Sequence, residues 1–585
     1  MMLFNSKRWF DNNLKAVSVV VTATTLATLM SGCGNVIRRG QSPDESLVKF
    51  NDKRGDTNFI GNYCGIKGVR PAQIEGIGLV VGLEGTGSEP APSGQKDYLL
   101  RELKNNKTTE NAKSALSSDH TAMVMIRGLI PAGAQKGDRI DLRVTVPPKS
   151  DTTSLKYGEL LKTDLRPMAF LSRSVKLGNA MGRAKGTVLV DSLFESNTDE
   201  QLELTGTILG GGVLREDYPL TLVVSSEDTS VKVTRSIAHA INNRYTTVTD
   251  DGRENTANPV TDRIIELQIP EEYEHNLGRF IQSIQAMAFN ESDAALGKRL
   301  DDLDRRISDP ASARRAAIEL EAIGQQGVPI LKRALQHPDF EVRFYIAESL
   351  AYMGYGDGIS HLKLAAESEP AFRWHALTAL ASIGNSEAKI ALKQMFDRPS
   401  AETRYGAFRA LHACSPGDRS VEGKLLSDEF YLHDIASDAD GMIHFSRTKR
   451  PEIVVFGNQK VSEDFIFLQP GITARAIDKD RVRIIRFRPG AGEVKLTCST
   501  EIAELIKTLS RFGVDYTTIL EMCREADNAD TLNARLVINA APKIGSRSME
   551  DSVASSAEKS EKYIAQDAPD LFSDVQTSAP NESFE

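Results

Sequence analysis

"QIEGIGLVVGLEGTGS", Gln73 to Ser88, sets five glycines in and around one apolar run. Two readings compete for it: a phosphate-cradling loop, or a strand entering a turn. Spacing separates them. A dinucleotide fingerprint needs glycines at its first, third and sixth positions, between a strand and a helix. Counted from Gly76, those positions fall on Gly76, Gly78 and Val81, so the third glycine is missing. A P-loop needs a Lys directly after its last glycine, and no glycine of this stretch is followed by one. With period two, Ile77, Leu79, Val81 and Leu83 share one face, while Gly78, Val80 and Gly82 share the other. The stretch is therefore expected to be a strand with an almost bare second face, which another backbone or sheet can approach closely. "EGTG" then turns the chain.

The surrounding sequence continues in the same manner. "AMVMIRGLIPAGAQKGDRIDLRVTV" reads as two alternating strands around a Gly-rich turn. "TRSIAHAINNRY" is expected as a short amphipathic helix with Ile237, Ala240 and Ile241 on one face; "DRIIELQIP" follows as a strand and "LGRFIQSIQAMAF" as a second amphipathic helix. No His-Glu-x-x-His, Gly-x-Ser-x-Gly or locally paired Cys and His occurs in this α+β region. No catalytic, cofactor-binding or metal-ligating residue is nominated, and the chain is expected not to be an enzyme.

From about Ser292 to Ser415 the alternation gives way to Ala, Leu, Arg and Glu at helical spacing. "RRAAIELEAIG", "FYIAESLAYMG" and "WHALTALASIG" superimpose without gaps, with Leu320, Leu350 and Leu380 at one phase and Gly324, Gly354 and Gly384 at another. A fourth copy, "RYGAFRALHAC", places Leu411 in the Leu phase after one extra residue. Each copy supplies a helix ending near its glycine, which suits a left-handed cap. Second helices follow in "VPILKRAL", "ISHLKLAA" and "AKIALKQMF". Repeats of this length cannot bury their apolar stripes alone and stack as solenoids. The pattern resembles short HEAT-like repeats, which serve in lyase-type enzymes and in scaffolds; protein binding is expected here. His361, His375 and His412 do not recur at one repeat position and are read as surface or core histidines. Arg343, Arg373 and Arg404 do recur, and two readings stay open for them: hydrogen-bond donors between repeats, or a basic groove.

At the N-terminus a basic start precedes the apolar run Ala16 to Met30, about the length of a signal h-region and shorter than the roughly 20 residues of a membrane span. "LMSGC" closes it and resembles a bacterial lipobox, with Met30 where Leu is usual. That resemblance implies lipidation of Cys33 and anchoring to a membrane, Gly34 favouring the outer one. Residues 546–585, rich in Ser, Ala, Glu and Asp, read as a disordered tail. A net charge of −9 argues against nucleic-acid binding. Besides Cys33, Cys64, Cys414, Cys498 and Cys523 lack any metal-site spacing; a disulfide such as Cys498 to Cys523 and buried free thiols both remain open.

Several of these stretches together are similar to the bacterial flagellar P-ring protein family. "GVRPAQIEGIGLVVGLEGTG" resembles its opening "GVR…L.GYGLVVGL.GTGD", with Ile77 where Tyr is usual and Ser88 where Asp is usual. "AMVMIRGLIPAGAQKGDRIDLRV" and "SLKYGELLKTDLRP" continue in family order. After the helical repeats, "MIHFSRTKRPEIVVFGNQKV" resembles the stretch ending "VVI..RTGTIV.GG.V", with Lys449 and Arg450 departing from the usual glycine. "LSRFGVDYTTILEMCREADNADTLNARLVI" resembles the closing helices, and Thr531 stands where many members carry Cys, so a family disulfide ending there is expected to be absent.

The resemblance implies a non-enzymatic structural subunit without a cofactor, assembling with copies of itself into a ring around the flagellar rod in the periplasm. Its implied neighbours are rod and L-ring type proteins or peptidoglycan. The expected fold class is α+β: a mixed-sheet P-ring-like domain split by an inserted all-α HEAT-like solenoid. The expected divisions are a lipoprotein signal peptide (1–32), a lipidated tether (33–55), an N-terminal P-ring-like block (56–290), the helical insertion and linker (291–436), a C-terminal P-ring-like block (437–545) and the tail. The insertion is expected to protrude and to bind an unknown protein partner. The competing expectation is an outer-membrane lipoprotein scaffold of a non-flagellar envelope assembly.

Overall fold

The structure, a computed structural model, describes residues 57–543 except 106–111, 172–173, 196–199, 250–251 and 489–491. Cys33, the signal and tether regions and the tail lie outside the described residues. Strand β1 (Cys64–Lys67) precedes β2 (Ala72–Val81), helices α1 (Gly94–Asn105) and α2 (Ala112–Leu116), and then β3 (Thr121–Ile130), β4 (Arg139–Thr145), β5 (Glu159–Leu165), β6 (Gly182–Thr187) and β7 (Thr205–Leu214). Strands β4-β3-β2-β5-β6-β7 pair in that order, every pair antiparallel, and β7 returns to pair with β4. The six strands thus close into a barrel.

Barrel closure explains the glycines of the opening stretch. So few strands leave a narrow interior, already filled by Ile74, Val80, Ile126, Ile140, Leu142 and Leu160. A Cβ on Gly78 would sit 2.7 Å from Leu160 Cδ1 and 2.8 Å from Ile126 Cδ1. The bare face thus receives side chains from the two neighbouring strands, Ile126 of β3 and Leu160 of β5. The opposite face is buried too: Ile77 and Leu79 pack with Tyr98, Leu99 and Leu103 of α1 and with Leu116 of α2. Leu83 departs from its expected face and joins the barrel core, because Gly82, at φ +81°, breaks the alternation.

A second antiparallel sheet, β1-β8-β10-β9, adds β8 (Leu220–Val224), β9 (Ala257–Pro259) and β10 (Ile264–Leu267) to β1. Helices α3 (Val231–Arg244) and α4 (Leu277–Ala286) belong to its core, with Ile237, Ile241, Phe280 and Ile284 fully buried. On α3, Ala238 is more deeply buried than Ala240, so the apolar stripe is one residue off the expected face.

Helices α5 (Asp293–Arg306), α6 (Ala313–Ile323), α7 (Val328–Ala334), α8 (Phe340–Tyr352), α9 (Ile359–Ser368), α10 (Pro370–Ile383), α11 (Ser386–Gln394) and α12 (Ala401–Cys414) form the helical run. Side chains of Ser292, Asp339, Asn385 and Ser400 cap α5, α8, α11 and α12 by accepting backbone N–H bonds. Gly324, Gly354 and Gly384 end α6, α8 and α10 with φ of +85°, +79° and +58°. Helices α6, α8, α10 and α12 pack in succession, and Leu320, Leu350, Leu380 and Leu411 are all fully buried.

The closing block contains β11 (Gly423–Leu426), β12 (Phe430–Ile435), β13 (Met442–Phe445), β14 (Glu452–Phe456), β15 (Ile466–Gln469), β16 (Ile472–Asp478), β17 (Arg481–Arg488), β18 (Gly492–Ser499), helices α13 (Ile502–Arg511) and α14 (Tyr516–Asn528), and β19 (Arg535–Ile538). One sheet, β11-β12-β14-β13-β19, is mixed, with β12 parallel to β14 and β13 parallel to β19; the other, β15-β16-β17-β18, is antiparallel. The mixed character expected of the whole domain is found here and not in the barrel. Strands β11 and β12 fall inside the expected linker, yet β12 pairs with β14 along Tyr431–Ile435, so the sheet begins before residue 437.

Two cores run through this architecture. One joins barrel residues such as Ile126, Leu160 and Leu209 to Phe430, Phe445, Ile484, Leu505 and Tyr516 of the closing block. The other runs from Leu222 and Phe280 through the helical run to Met442, Phe456 and Ala540. The run is consequently no free protrusion. It is seated on the rest of the chain at both ends.

Candidate functional site

The places where chemistry is concentrated are junctions between these parts, each built from buried charge. At the first, α4 meets the helical run. Asn276 caps α4 by accepting from Arg279 N–H at 3.0 Å, which fixes the turn that carries Arg279. The buried Arg279 donates Nη2–H to Glu321 Oε2 at 2.6 Å and to Ser349 Oγ at 2.7 Å, and Nη1–H to Glu348 Oε2 at 2.9 Å. Tyr273 Oη donates to Glu321 Oε1 at 2.9 Å, and its ring stacks on Tyr352 with centroids 5.0 Å apart. Burial disfavours the ionised Glu348, but Arg279 outweighs it and holds this carboxyl below the usual range.

At the other end, α12 meets the closing sheet through Glu452. Tyr405 Oη donates to Glu452 Oε1 at 2.7 Å, and Arg409 Nη1–H to Oε2 at 3.1 Å. Burial pushes the Glu452 pKa up, yet the guanidiniums of Arg409 and Arg450 bring it far below the ordinary carboxylate value. Three histidines surround this pair. His433 donates Nδ1–H to Val421 O at 2.9 Å, and its Nε2 accepts from Arg450 Nη2–H at 3.1 Å; a carbonyl only accepts and an arginine only donates, so the two contacts agree on the tautomer. His444 Nε2 accepts from Ala540 N–H at 2.9 Å, and its ring stacks on Tyr405. Burial lowers the pKa values of His433 to about 4 and of His412 and His444 to about 3, so all three are neutral at pH 7.

The third junction ties the barrel to the closing block. Asp141 accepts from Gly210 N–H at 2.7 Å and from Lys449 N–H at 2.5 Å, so one carboxylate holds a bulge of β7 against the β13–β14 turn. Lys449, at φ +38°, occupies backbone space that favours glycine. Asp191 takes Arg143 at 2.8 and 2.5 Å, Arg447 at 2.9 Å and Thr205 at 2.5 Å. Burial opposes its charge, but these partners keep its pKa below the usual value. On α14, Glu521 accepts Lys156 at 2.6 Å and Tyr157 Oη at 3.1 Å, and Arg524 donates to Leu193 O at 2.7 Å.

The recurring arginines resolve into the first of their two readings. Arg343 donates to His337 O and Pro338 O, Arg373 to Ala366 O, and Arg404 to Arg398 O, each reaching back to carbonyls at the preceding turn. Arg373 also meets Glu402 of the next repeat at 2.5 Å. These donors tie successive helices and do not line a groove. His375 and His412 are buried, His361 half-buried, and the structure does not bring the three together. Cys64, Cys414, Cys498 and Cys523 are free thiols, so the open Cys498–Cys523 disulfide is not formed; burial pushes the Cys64 and Cys523 pKa values up to about 12. Thr531 donates Oγ1–H to Ala526 O at 3.1 Å. Among the described residues no His, Cys, Asp or Glu group could hold a metal ion.

Sequence reasoning missed Arg279, Glu452, Asp141 and Asp191. A charged residue inside an amphipathic pattern, such as Arg279 in "LGRFIQSIQ", is the one local signal for such a group.

Fold and junctions together describe a chain whose buried charges fasten its parts to one another. Residues 60–296 match the family described as "Flagellar P-ring protein". Curated relatives include flagellar P-ring proteins of Thermotoga maritima, 27% identical over 240 residues (39% of this chain, 66% of the relative); of Campylobacter lari, 27% over 226 residues (37% and 59%); and of Nitratidesulfovibrio vulgaris, 28% over 240 residues (39% and 60%). The chain thus spans about three-fifths to two-thirds of these relatives' length. The family match ends at residue 296, within the first helix of the run.

Proposed function

We propose that this chain is a non-enzymatic, P-ring-like structural subunit that assembles with its own copies around the flagellar rod in the periplasm. Its neighbours are then rod and L-ring type proteins or peptidoglycan, and a lipid on Cys33 anchors it to the outer membrane. The helical run is read as a HEAT-like array that binds a protein partner. One observation carries the reading of the split domain: barrel and closing block contribute to one apolar core, although about 200 residues of chain separate Leu214 from Phe430. A subunit whose two blocks must dock can accept an insertion between them without losing its ring-forming body. Closed rings need a heterologous contact between copies.

The deciding experiment images basal bodies isolated from cells carrying the tagged chain. Label in a ring around the rod supports the proposal. Label confined to envelope particles without rods would overturn it in favour of a non-flagellar lipoprotein scaffold. Cys33→Ala should release the chain from membranes; a variant that still partitions with them refutes the lipid anchor alone.

A further inference from the structure

Where α3, the 287–291 loop, α5 and the first turns of the helical run meet, a cleft of about 630 Å³ opens, within the range of roughly 300–1,000 Å³ typical of ligand sites. Its walls are divided between apolar and charged groups. Met287, Leu296, Ile323 and Met353 supply the apolar part, Arg244 and Arg299 the cationic part, and Glu291 one carboxylate, which Arg299 holds. Arg244 donates Nε–H to the backbone carbonyl of Glu321 at 3.0 Å and lies 4.6 Å above the Tyr245 ring. The Glu321 carboxylate is turned to Arg279 instead. Among the described residues no carboxylate pairs with Arg244, and its Nη2 is buried without a hydrogen-bond partner. Gly324 makes room for this arrangement: a Cβ there would stand 3.1 Å from both Arg244 Cδ and Nε. Arg299 grips Glu291 with Nε at 2.9 Å and Nη2 at 2.6 Å, while its Nη1 is likewise buried and unpartnered.

Two guanidiniums, largely withdrawn from water at one cleft, each keep a buried N–H without an acceptor, and among the described residues Arg244 has no paired carboxylate beside it as Arg299 has in Glu291. An entering carboxylate would complete them by bidentate, charge-assisted hydrogen bonds. The apolar walls strengthen such a contact by excluding water, and two methionines allow them to repack around different side chains. A bare phosphate would leave those walls unused.

We propose that this cleft receives an acidic peptide segment of a partner protein, its carboxylate held by Arg244 and Arg299 and its flanking apolar side chains seated against Met287, Leu296 and Met353. The proposal rests on the reading that the helical run binds a protein, and names the chemistry of that partner.

The test uses the purified full-length chain and a capped pentapeptide, Gly-Leu-Glu-Leu-Gly, against the same peptide with Gln in place of Glu, measured by calorimetry. The Glu peptide is expected to saturate one site at least tenfold more tightly than the Gln peptide. Arg244→Gln and Arg299→Gln should each remove that preference while leaving the melting transition in place. Ser236→Glu, at a residue lining the cleft, offers the arginines a carboxylate from within; it should abolish binding even if Arg244→Gln fails to fold. Equal binding of both peptides, a Glu preference that survives Arg244→Gln or Ser236→Glu, or competition by inorganic phosphate at equal concentration overturns the proposal. The underlying reading is tested separately. A partner that co-purifies equally with Arg244→Gln and wild type, in a chain lacking the Glu preference, sinks the cleft and keeps the partner-binding run. An Arg-dependent Glu preference stands for the cleft even in a chain that recruits no partner in cells.

Discussion

Replacing Arg279 with Met removes the cation that bridges Glu321 and Glu348 inside the first junction. Methionine fills most of the vacated volume, so the loss is chiefly electrostatic. Breaking a buried pair by deleting one partner costs about 3–5 kcal/mol, because the surviving charge stays unpaired in a low-dielectric site. Both carboxylates lose their guanidinium here; Tyr273 Oη still donates to Glu321, and His375, 3.6 Å away, and the charge of Arg314 still act on Glu348. With an urea m-value of about 3 kcal/mol/M, the midpoint of the transition that melts the run should fall by about 1–2 M. The sign of the pH dependence is a sharper readout. Unpaired buried carboxyls have folded pKa values above their unfolded ones, so the folded state binds more protons and Arg279→Met should gain stability as pH falls from 7 toward 5. A triple variant, Arg279→Met with Glu321→Gln and Glu348→Leu, keeps an acceptor for Tyr273 and removes the unpaired charge. It should recover most of the loss. The measurement is urea unfolding followed by circular dichroism, with hydrogen exchange in α6 and α8. A cost below about 1 kcal/mol for the single variant, or a triple variant no more stable than it, would refute the reasoning.

The second junction predicts the opposite slope in the wild-type chain: the unfolded histidine takes a proton near pH 6.5, whereas burial holds His433 neutral down to about 4, so the unfolded state binds more protons and stability is lost as pH falls through that window. For His433 alone the loss at pH 5 is about 2 kcal/mol; His433→Gln can keep both hydrogen-bond roles, and its melting temperature should fall less between pH 7 and pH 5. Glu452 acts only lower, since its stabilisation is present above its unfolded pKa near 4.5 and lost below it. Gly78→Val should destabilise by about 1–3 kcal/mol or more, because its Cβ alone meets Leu160, Ile126 and Thr163 inside 3.0 Å; an unchanged urea midpoint would show that the barrel interior is not as tightly filled as described. Lys449→Gly should stabilise by about 1 kcal/mol, since it removes a left-handed side-chain penalty and keeps the N–H that Asp141 accepts; a lowered midpoint would contradict the strain.

Local periodicity determined much of this protein. The strand at 72–81, the hairpin strands 121–130 and 139–145, and the helices ending at Gly324, Gly354 and Gly384 all follow from the spacing of apolar residues and glycines along a few turns of chain. Closure of the barrel does not, because the β7–β4 pairing joins Thr205 to Thr145, sixty residues apart, and no local pattern records which edge meets which. The bare face of Gln73–Ser88 announced a close approach without naming Leu160 and Ile126 as the side chains that make it. The arginine series was visible at its repeat phase, but only the folded turns decided that carbonyls rather than a ligand occupy it. Arg279, Asp141, Asp191 and Glu452 were decided entirely by tertiary structure: a buried charge becomes tolerable only when distant segments deliver its partners, and those partners lie far outside any window in which a sequence pattern repeats.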